Sequence, residues 1–318
     1  MHLVDMHCDT LLECYKRQCG LRKNDCHIDL ETMKSSNALI QFFAAYLPSG
    51  EDAVEEGVSL PPYDLFYAMK TLYDHEMDVN GDLIKPVLSY EDIQVNASEE
   101  KICGILTIED GQLIEGKLER VEELYQAGVR LITLLWNREN CLGYPHSMDP
   151  DAHKKGLKPF GIEVVKKMNE LGMIVDVSHL SEGGFYDVAK YSTKPFVASH
   201  SCARTLCSHS RNLTDEQLKC IANAGGIVGV NYNAGFLRDD AEYSSVADIL
   251  AHIDYMMSLI GSDFIALGSD FDGIDCGLEI DGYSQYGKLI DALSKKYSDD
   301  VVEKICCQNA LRVLKACL

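Results

Sequence analysis

The sequence lacks any apolar stretch long enough to cross a lipid bilayer. Its longest nearly apolar run, Ala38–Leu47, has ten residues and is interrupted by Gln41, whereas a spanning helix needs about 20. Positive charge is also scarce, because 29 Lys and Arg stand against 50 Asp and Glu, which gives a net charge of −21. Since phosphate backbones and anionic lipids attract clustered Lys and Arg, we expect neither a nucleic acid nor a membrane as a partner.

Signals for export and for a disulfide framework are missing as well. The first residues, MHLVDMHCDT, show no basic region before an apolar one, so we expect no secretory leader. The 13 cysteines are an odd number and include no CxxC pair. This pattern predicts reduced, mostly buried thiols and a cytoplasmic location.

What the sequence does contain is a regular alternation of short apolar runs with helical patterns. The runs are rich in Val, Ile and Leu without clean alternation, as in strands that are buried on both faces of a parallel sheet. Eight such strands predict a single α/β domain over residues 1–318, a (β/α)8 TIM-like barrel. An open doubly wound sheet is disfavoured, because no GxGxxG or GxxxxGKS/T loop follows any strand candidate. The predicted strands are Leu3–Met6, Ala38–Leu47, Ile102–Ile108, Val129–Leu135, Met173–Val177, Pro195–Ala198, Gly226–Val230 and Phe264–Leu267.

Helix boundaries are also visible in the sequence. Residues Phe160–Leu171 carry apolar side chains at helical spacing, and Gly172 follows them as a residue that commonly ends a helix. Three further helices are predicted to begin at capping residues, which are Thr214, Ser245 and Ser298.

Side chains that can bind metal or transfer protons are concentrated where the predicted strands end. In a barrel of this kind, the carboxyl ends of the strands form the catalytic face. Unpaired Asp, Glu and His are costly to bury there, and a cation compensates that cost. The residues at these ends are His7, Asp9, Glu109, His179, His200 and Asp270.

The alternation of side chains along a strand indicates which residues at the end of the first strand can bind a metal. Alternate residues share a face, so we expect Asp5, His7 and Asp9 to point together, while Met6 and Cys8 point toward the surrounding helices. Cys8 is therefore not a predicted ligand, although it lies between two ligand candidates. The remaining histidines have no such placement and are expected on the surface or on helices, and they are His2, His27, His75, His146, His153, His209 and His252.

The donor set favours a zinc-like ion. Three imidazoles and two carboxylates without a thiolate suit borderline divalent ions better than Ca²⁺ or Mg²⁺, which prefer shells of oxygen. Five donors are too many for one tetrahedral site. Two ions that share a carboxylate need about this number, and a water between two such ions is acidified enough to give a hydroxide nucleophile near neutral pH.

Six segments together resemble the renal (membrane) dipeptidase family of the amidohydrolase superfamily. They are DMHCDT, ILTIEDG, IVDVSHLSEGGF, PFVASHSCARTL, SRNLTDE and ALGSDFDG. They match the family in order and in spacing, and the resemblance runs from about residue 3 to Leu314. It implies a binuclear zinc peptidase on a TIM-like barrel that cleaves dipeptides and tolerates a D-residue on the C-terminal side.

The resemblance also implies roles for the predicted metal ligands. His7 and Asp9 match the ligands of one zinc ion, and His179 and His200 match those of the other. Glu109 matches the carboxylate that bridges the two ions. The family thus implies two Zn²⁺ per chain.

Further roles follow from the same resemblance. Asp270 is similar to the general acid and base of the family, although Asp272 has the same chemistry and stays an alternative. Arg211 is similar to the residue that holds the substrate carboxylate, for which a planar guanidinium is suited. The chain departs from many members at Trp136, where they have a His that contacts the substrate carbonyl. We expect Trp136 and Asn137 to lie at the substrate.

The sequence thus predicts a zinc-dependent metallodipeptidase that acts on small dipeptides, with a homodimer as one possible assembly. Loops near residues 48–100 and 140–160 are expected to shape its pocket. One alternative is a binuclear amidohydrolase that acts on another small amide or on an N-acyl amino acid, because the metals do not select the acyl group. The other is a non-catalytic metal-binding protein. A sequence without one of the predicted metal ligands or without Asp270 would favour that alternative, but all of them are present.

Overall fold

Strands and helices alternate along the whole chain in the computed structural model, which describes residues 1–318. The strands are β1 (Leu3–Cys8), β2 (Ala38–Tyr46), β3 (Ile84–Pro86), β4 (Ile102–Glu109), β5 (Leu131–Thr133), β6 (Ile174–Asp176), β7 (Val197–Ala198), β8 (Ile227–Val230), β9 (Tyr243–Ser244), β10 (Ile265–Leu267) and β11 (Gly277–Leu278). The α-helices are α1 (Thr10–Arg17), α2 (Leu30–Ser35), α3 (Glu51–Glu55), α4 (Pro62–Val79), α5 (Tyr90–Ser98), α6 (Glu119–Gln126), α7 (Pro150–His153), α8 (Pro159–Leu171), α9 (Glu182–Tyr191), α10 (Asp215–Asn223), α11 (Ala234–Leu237), α12 (Val246–Ile260), α13 (Tyr286–Ser294), α14 (Asp299–Glu303) and α15 (Asn309–Cys317). A π-helical turn, Lys304–Gln308, joins α14 to α15.

Eight of these strands close into a parallel barrel. Strand β1 pairs with β2, β2 pairs with β4, and the ring continues through β5, β6, β7 and β8. Strand β8 pairs with β10, and β10 pairs with β1, which closes the ring. The prediction of a (β/α)8 barrel is confirmed, and each of the eight predicted runs overlaps one barrel strand, although β1 and β4 extend one or two residues beyond theirs. Strand β3 was not predicted, because it has only three residues and pairs with the start of β4 outside the ring.

Two buried apolar clusters fill and surround the barrel. The smaller cluster takes side chains from all eight barrel strands, so it occupies the barrel interior. Helix α15 closes the amino-terminal end of the barrel, where Arg312 donates hydrogen bonds to the carbonyls of Gly225 and Asp263 just before β8 and β10. The larger cluster packs the outer helices against the strands. No helix combines the length and the apolar character that a membrane crossing requires.

A bulge in β1 changes the predicted alternation of its side chains. Along the pairing with β2, Asp5 and Cys8 are three residues apart but face positions that are only two apart, so β1 carries one extra residue. Met6 packs in the barrel interior, and Asp5 accepts a hydrogen bond from Tyr286 on the outer helix α13. The expectation that Asp5 shares the face of His7, and that Met6 faces the helices, is therefore wrong. Cys8 does pack in the outer cluster, as predicted.

The predicted helix boundaries are largely confirmed. Gly172 ends α8 with a left-handed φ of 85°, and both Thr214 and Ser245 form capping boxes at the starts of α10 and α12. Ser298 precedes α14, but its side chain makes no capping hydrogen bond. Consecutive acidic residues follow it, and their charge also suits a helix start.

Candidate metal centre

The six side chains predicted at strand ends meet at the carboxyl end of the barrel. His7 and Glu109 belong to the last residues of β1 and β4, and the other four lie one to three residues beyond a strand. All six are at most 8% exposed. The barrel thus gathers imidazoles and carboxylates from five strands into one buried cluster, formed by His7, Asp9, Glu109, His179, His200 and Asp270.

Glu109 lies at the centre of this cluster. Its Oε1 is 3.0 Å from Nε2 of His179 and 3.4 Å from Nε2 of His200. Its Oε2 is 3.5 Å from Nε2 of His7, which in turn is 3.3 Å from Oδ2 of Asp9. The two oxygens of one carboxylate therefore face two different groups of donors, which is what a bridging ligand requires.

Several atoms of the cluster that could bind a metal have no hydrogen-bond partner. Both ring nitrogens of His7 and Oδ1 of Asp9 are buried and unpaired, and such atoms each cost about 1–3 kcal/mol. Nε2 of His179 and Nε2 of His200 face each other at 3.0 Å. Nitrogen and oxygen donors that converge in this way suit a divalent ion such as Zn²⁺, so the residues fit the metal that the family implies.

Burial and charge together set the protonation of the cluster. Burial raises the pKa of Glu109, but His7, His179 and His200 outweigh that effect and hold the pKa well below its usual range. Burial lowers the pKa of His179 to about 4. The imidazole is therefore neutral at neutral pH, and this is the form that binds metal.

Unusual backbone conformations bring two of the side chains into the cluster. His179 and Asp270 have left-handed φ angles of 69° and 65°, which non-glycine residues adopt at a cost and often at functional sites. The loop after β10 also passes very close to the cluster, because a Cβ at Gly273 would lie 2.2 Å from Oδ2 of Asp9. A side chain at position 273 would therefore displace the carboxylate of Asp9.

Asp270 and Asp272 differ in what they contact. Oδ1 of Asp270 is 3.7 Å from Nε2 of His7, inside the cluster. The carboxylate of Asp272 instead accepts hydrogen bonds from the hydroxyl of Thr10 and from the backbone N–H of His27. Asp272 thus ties the loop after β10 to the segment around α1, while Asp270 faces the metal ligands.

A pocket of about 420 Å³ opens above the cluster. Tyr46 and Trp136 form part of its wall, with their ring centres 4.9 Å apart, and the hydroxyl of Tyr46 is buried without a partner. Phe236, in the connection after β8, lines another side. Of the two loops expected to shape the pocket, the one near residues 48–100 contributes Glu55 and Glu56 to its wall, whereas residues 140–160 contribute no wall residue.

Asn137 lies in the pocket wall and also contacts a predicted metal ligand. Its Oδ1 is 2.9 Å from Nδ1 of His179 and 3.1 Å from Nε2 of His146. An acceptor at Nδ1 fixes the orientation of the His179 ring, with Nε2 directed toward Glu109. His146 was not expected near the site, because it lies in a loop without periodicity or a strand end to mark it.

Arg211 is buried beside His200 and outside the pocket wall. Its terminal nitrogens donate to the hydroxyl of Ser201 and to the carbonyl of His200, both at 2.8 Å. Its Nε is buried without a partner, and the guanidinium, on a residue that is 3% exposed, makes no ion pair. The fold thus leaves a buried positive charge next to the cluster.

Comparisons with known proteins identify the family. The profile described as membrane dipeptidase (peptidase family M19) matches residues 1–317. A Klebsiella pneumoniae protein, named as an uncharacterized protein in the pqqA 5′ region, is 36% identical over 264 residues, which are 80% of this chain and 96% of that protein. Dipeptidase tcpJ of Claviceps purpurea is 28% identical over 293 residues, which are 91% of this chain and 69% of that protein.

A solved structure agrees with this assignment. The crystal structure of a metallopeptidase from Rhodobacter sphaeroides, liganded with a phosphinate mimic of the dipeptide L-Ala-D-Ala, has a TM-score of 0.92 at 26% sequence identity. The match covers 100% of this chain and 99% of that one. The resemblance seen in the sequence is thereby confirmed, and it places the chain among hydrolases that act on dipeptides. The chain belongs to the membrane dipeptidase family, peptidase family M19.

Proposed function

We propose that the protein is a zinc-dependent dipeptidase that accepts dipeptides with a D-residue on the C-terminal side. The observation that carries this proposal is the buried cluster in which Glu109 faces His7 with one oxygen and His179 and His200 with the other. The dipeptide mimic bound to the Rhodobacter sphaeroides neighbour supports the class of substrate.

We assign two zinc ions to each chain. His7 and Asp9 would hold one ion, His179 and His200 would hold the other, and Glu109 would be shared. When bound, such a pair supplies a Lewis acid for the peptide carbonyl and acidifies a bridging water to a hydroxide nucleophile. The unpaired donor atoms of His7 and Asp9 support this assignment, because a cation satisfies them together.

Asp270 is the group that transfers the proton. Nδ2 of Asn231 donates to Oδ2 of Asp270 at 2.8 Å and leaves Oδ1 facing His7. A carboxylate held in this way can accept the proton of the attacking water and pass it to the leaving amine. Asp272 is less suited to this role, because its carboxylate already accepts two hydrogen bonds from within the protein.

Three residues are assigned to the substrate. Arg211 would bind its carboxylate, because a buried guanidinium without an ion pair is stabilised by an anion. Trp136 lines the pocket with its apolar face, next to the unpaired hydroxyl of Tyr46. Nδ2 of Asn137 makes no hydrogen bond within the protein and is free to contact the substrate, while Oδ1 orients His179.

A hydrolysis panel with zinc-loaded protein tests the proposal. The substrates are L,L-, L,D- and D,D-dipeptides and N-acyl amino acids, each assayed before and after removal of the metal with a chelator. We expect metal-dependent hydrolysis of L,L- and L,D-dipeptides with a kcat/KM that exceeds the value for N-acyl amino acids. Hydrolysis of N-acyl amino acids alone would favour the other amidohydrolase activity, and metal binding without any hydrolysis would favour the non-catalytic alternative.

We also propose a cytoplasmic location. All 13 cysteines are unpaired in the structure, and thiols stay reduced in the cytoplasm. Cell fractionation with thiol labelling tests this proposal, because a secreted or periplasmic pool of the protein with oxidised cysteines would contradict it.

A further inference from the structure

Three cysteines of one short segment, residues 14–26, meet outside the active site. Cys14 lies on α1, and Cys19 and Cys26 lie in the loop that follows it. Their Sγ atoms are all within 4.8 Å of one another. All three are free thiols, of which Cys14 is buried and the other two are half-buried. We call these residues the thiol trio.

The backbone of the loop brings the thiol trio together. After α1, Gln18 adopts a left-handed conformation with φ 52°, which turns the chain so that the N–H of Cys19 donates to the carbonyl of Cys14 at 3.1 Å. Oδ1 of Asn24 then accepts a hydrogen bond from the N–H of Cys26 at 2.9 Å. The cluster is thus part of an ordered turn and does not come from side-chain packing alone.

The surroundings favour a negative charge on one sulfur. The neighbouring thiol of Cys14 and the charge of Arg17 lower the pKa of Cys26, although burial and the negative charge of Asp272 oppose this. Thiolates rather than thiols bind metals, and such binding releases the remaining protons to solvent.

The spacing of the sulfurs also fits a metal ion. With Zn–S bonds of about 2.3 Å, two sulfurs of a tetrahedral site are about 3.8 Å apart, and those of a trigonal site about 4.0 Å apart. The trio meets either arrangement after movements of less than about 1 Å. A surface groove of about 670 Å³, lined by Cys14 and Cys19, gives an ion access from solvent.

We propose that Cys14, Cys19 and Cys26 form a second metal site, separate from the catalytic centre, that binds a thiophilic d¹⁰ cation such as Zn²⁺ or Cu⁺. Sulfur ligands select such ions over the hard cations that oxygen ligands prefer. A trigonal ion needs no other ligand, and a tetrahedral ion takes water as its fourth, since two of the three sulfurs are partly exposed.

The thiol trio is linked to the loop that carries Asp270. His27 follows Cys26, and its backbone N–H donates to Oδ1 of Asp272 at 2.8 Å. Nδ1 of His27 in turn accepts the N–H of Asp272 at 3.0 Å. An ion in the trio therefore fixes one side of the contact that anchors the catalytic loop.

A cadmium titration of the zinc-loaded protein tests the proposal. The ultraviolet charge-transfer band between thiolate and cadmium reports on cysteine ligands only, and the catalytic cluster contains none. We expect saturation at one Cd²⁺ per chain, with an affinity at least tenfold lower in Cys19→Ser and in Cys26→Ser. Cys141→Ser is the matched control, because Cys141 is also half-buried but lies outside the trio.

Alkylation of the wild-type protein gives a second measurement that needs no variant. Bound Cd²⁺ should protect Cys19 and Cys26 from iodoacetamide by at least tenfold in rate and leave the rate of Cys141 unchanged. The proposal is overturned if the reduced wild-type protein gives no charge-transfer band, if both serine variants keep it, or if cadmium does not slow the alkylation.

Discussion

A methyl group at position 273 should weaken metal binding without altering any ligand chemically. In Gly273→Ala, an ideal Cβ would lie 2.2 Å from Oδ2 of Asp9 and 2.8 Å from Oδ1 of Asp270. Non-bonded carbon and oxygen atoms do not approach so closely, so the Asp9 carboxylate must move by roughly 1 Å. The backbone at Gly273 is not left-handed, and alanine adds no strain of its own there.

The magnitude follows from which atom has to move. Oδ2 of Asp9 is the end of a short side chain that can rotate, so the folded state should lose little stability. As a metal ligand, however, the same oxygen has one productive position. Changes in the residues that support metal ligands lower metal affinity by about 10–100-fold, and we expect a displaced ligand to cost at least this much, or about 1.4–2.8 kcal/mol.

Competition with a chromophoric chelator measures this affinity. Gly287→Ala is the control, because a Cβ at this position in α13 meets no atom within 4 Å. We expect similar melting temperatures for the metal-free forms of both variants and weaker zinc binding only in Gly273→Ala. Equal zinc affinity in the two variants would refute the reasoning, since Asp9 would then not be a ligand.

Three further predictions concern single side chains. Asp270→Asn should lower kcat by about 10²–10⁴-fold with its metal retained, and Asp272→Asn should mainly lower the melting temperature; full activity of Asp270→Asn beside an inactive Asp272→Asn would reverse the two roles. Trp136→Phe should mainly raise KM, and a loss of about 10²-fold in kcat would instead identify the indole N–H as a donor to the oxyanion. Burial lowers the pKa of His252 in the folded protein. The stability that depends on its neutral ring is therefore fully present above about pH 6.5, the pKa in the unfolded chain, and is lost as the pH falls toward the lower pKa of the folded protein. Between pH 7 and pH 5, the free energy of unfolding should fall less in His252→Gln than in the wild-type protein, as measured by chemical denaturation.

The barrel could be predicted from the sequence because parallel strands that are buried on both faces have a distinctive composition. Each apolar run marked a strand, and each strand end marked a position on the catalytic face. The sequence therefore located the side chains of the candidate metal centre, such as Glu109 and His200, before any contact between them was known.

Other features could not be predicted because they depend on register and on loop conformation. Because of the bulge in β1, Asp5 faces the outer helices and Met6 faces the barrel interior, the reverse of what strict alternation predicts. The alternating pattern of a sequence does not show where a bulge inserts an extra residue. His146 and the thiol trio are brought to their places by loops, whose conformation has no periodic pattern in the sequence. Spatial contacts of this kind need the folded chain.

The measurement that tests the central claim most directly is an anomalous difference map at the zinc absorption edge from crystals of the zinc-loaded protein. We predict two peaks at the barrel mouth, one beside His7 and Asp9 and one beside His179 and His200, with Glu109 between them. Such a map also separates these ions from any ion in the thiol trio. A single peak at the barrel mouth in crystals of fully active protein would contradict the binuclear centre, and the absence of any peak there would contradict the metallopeptidase mechanism itself.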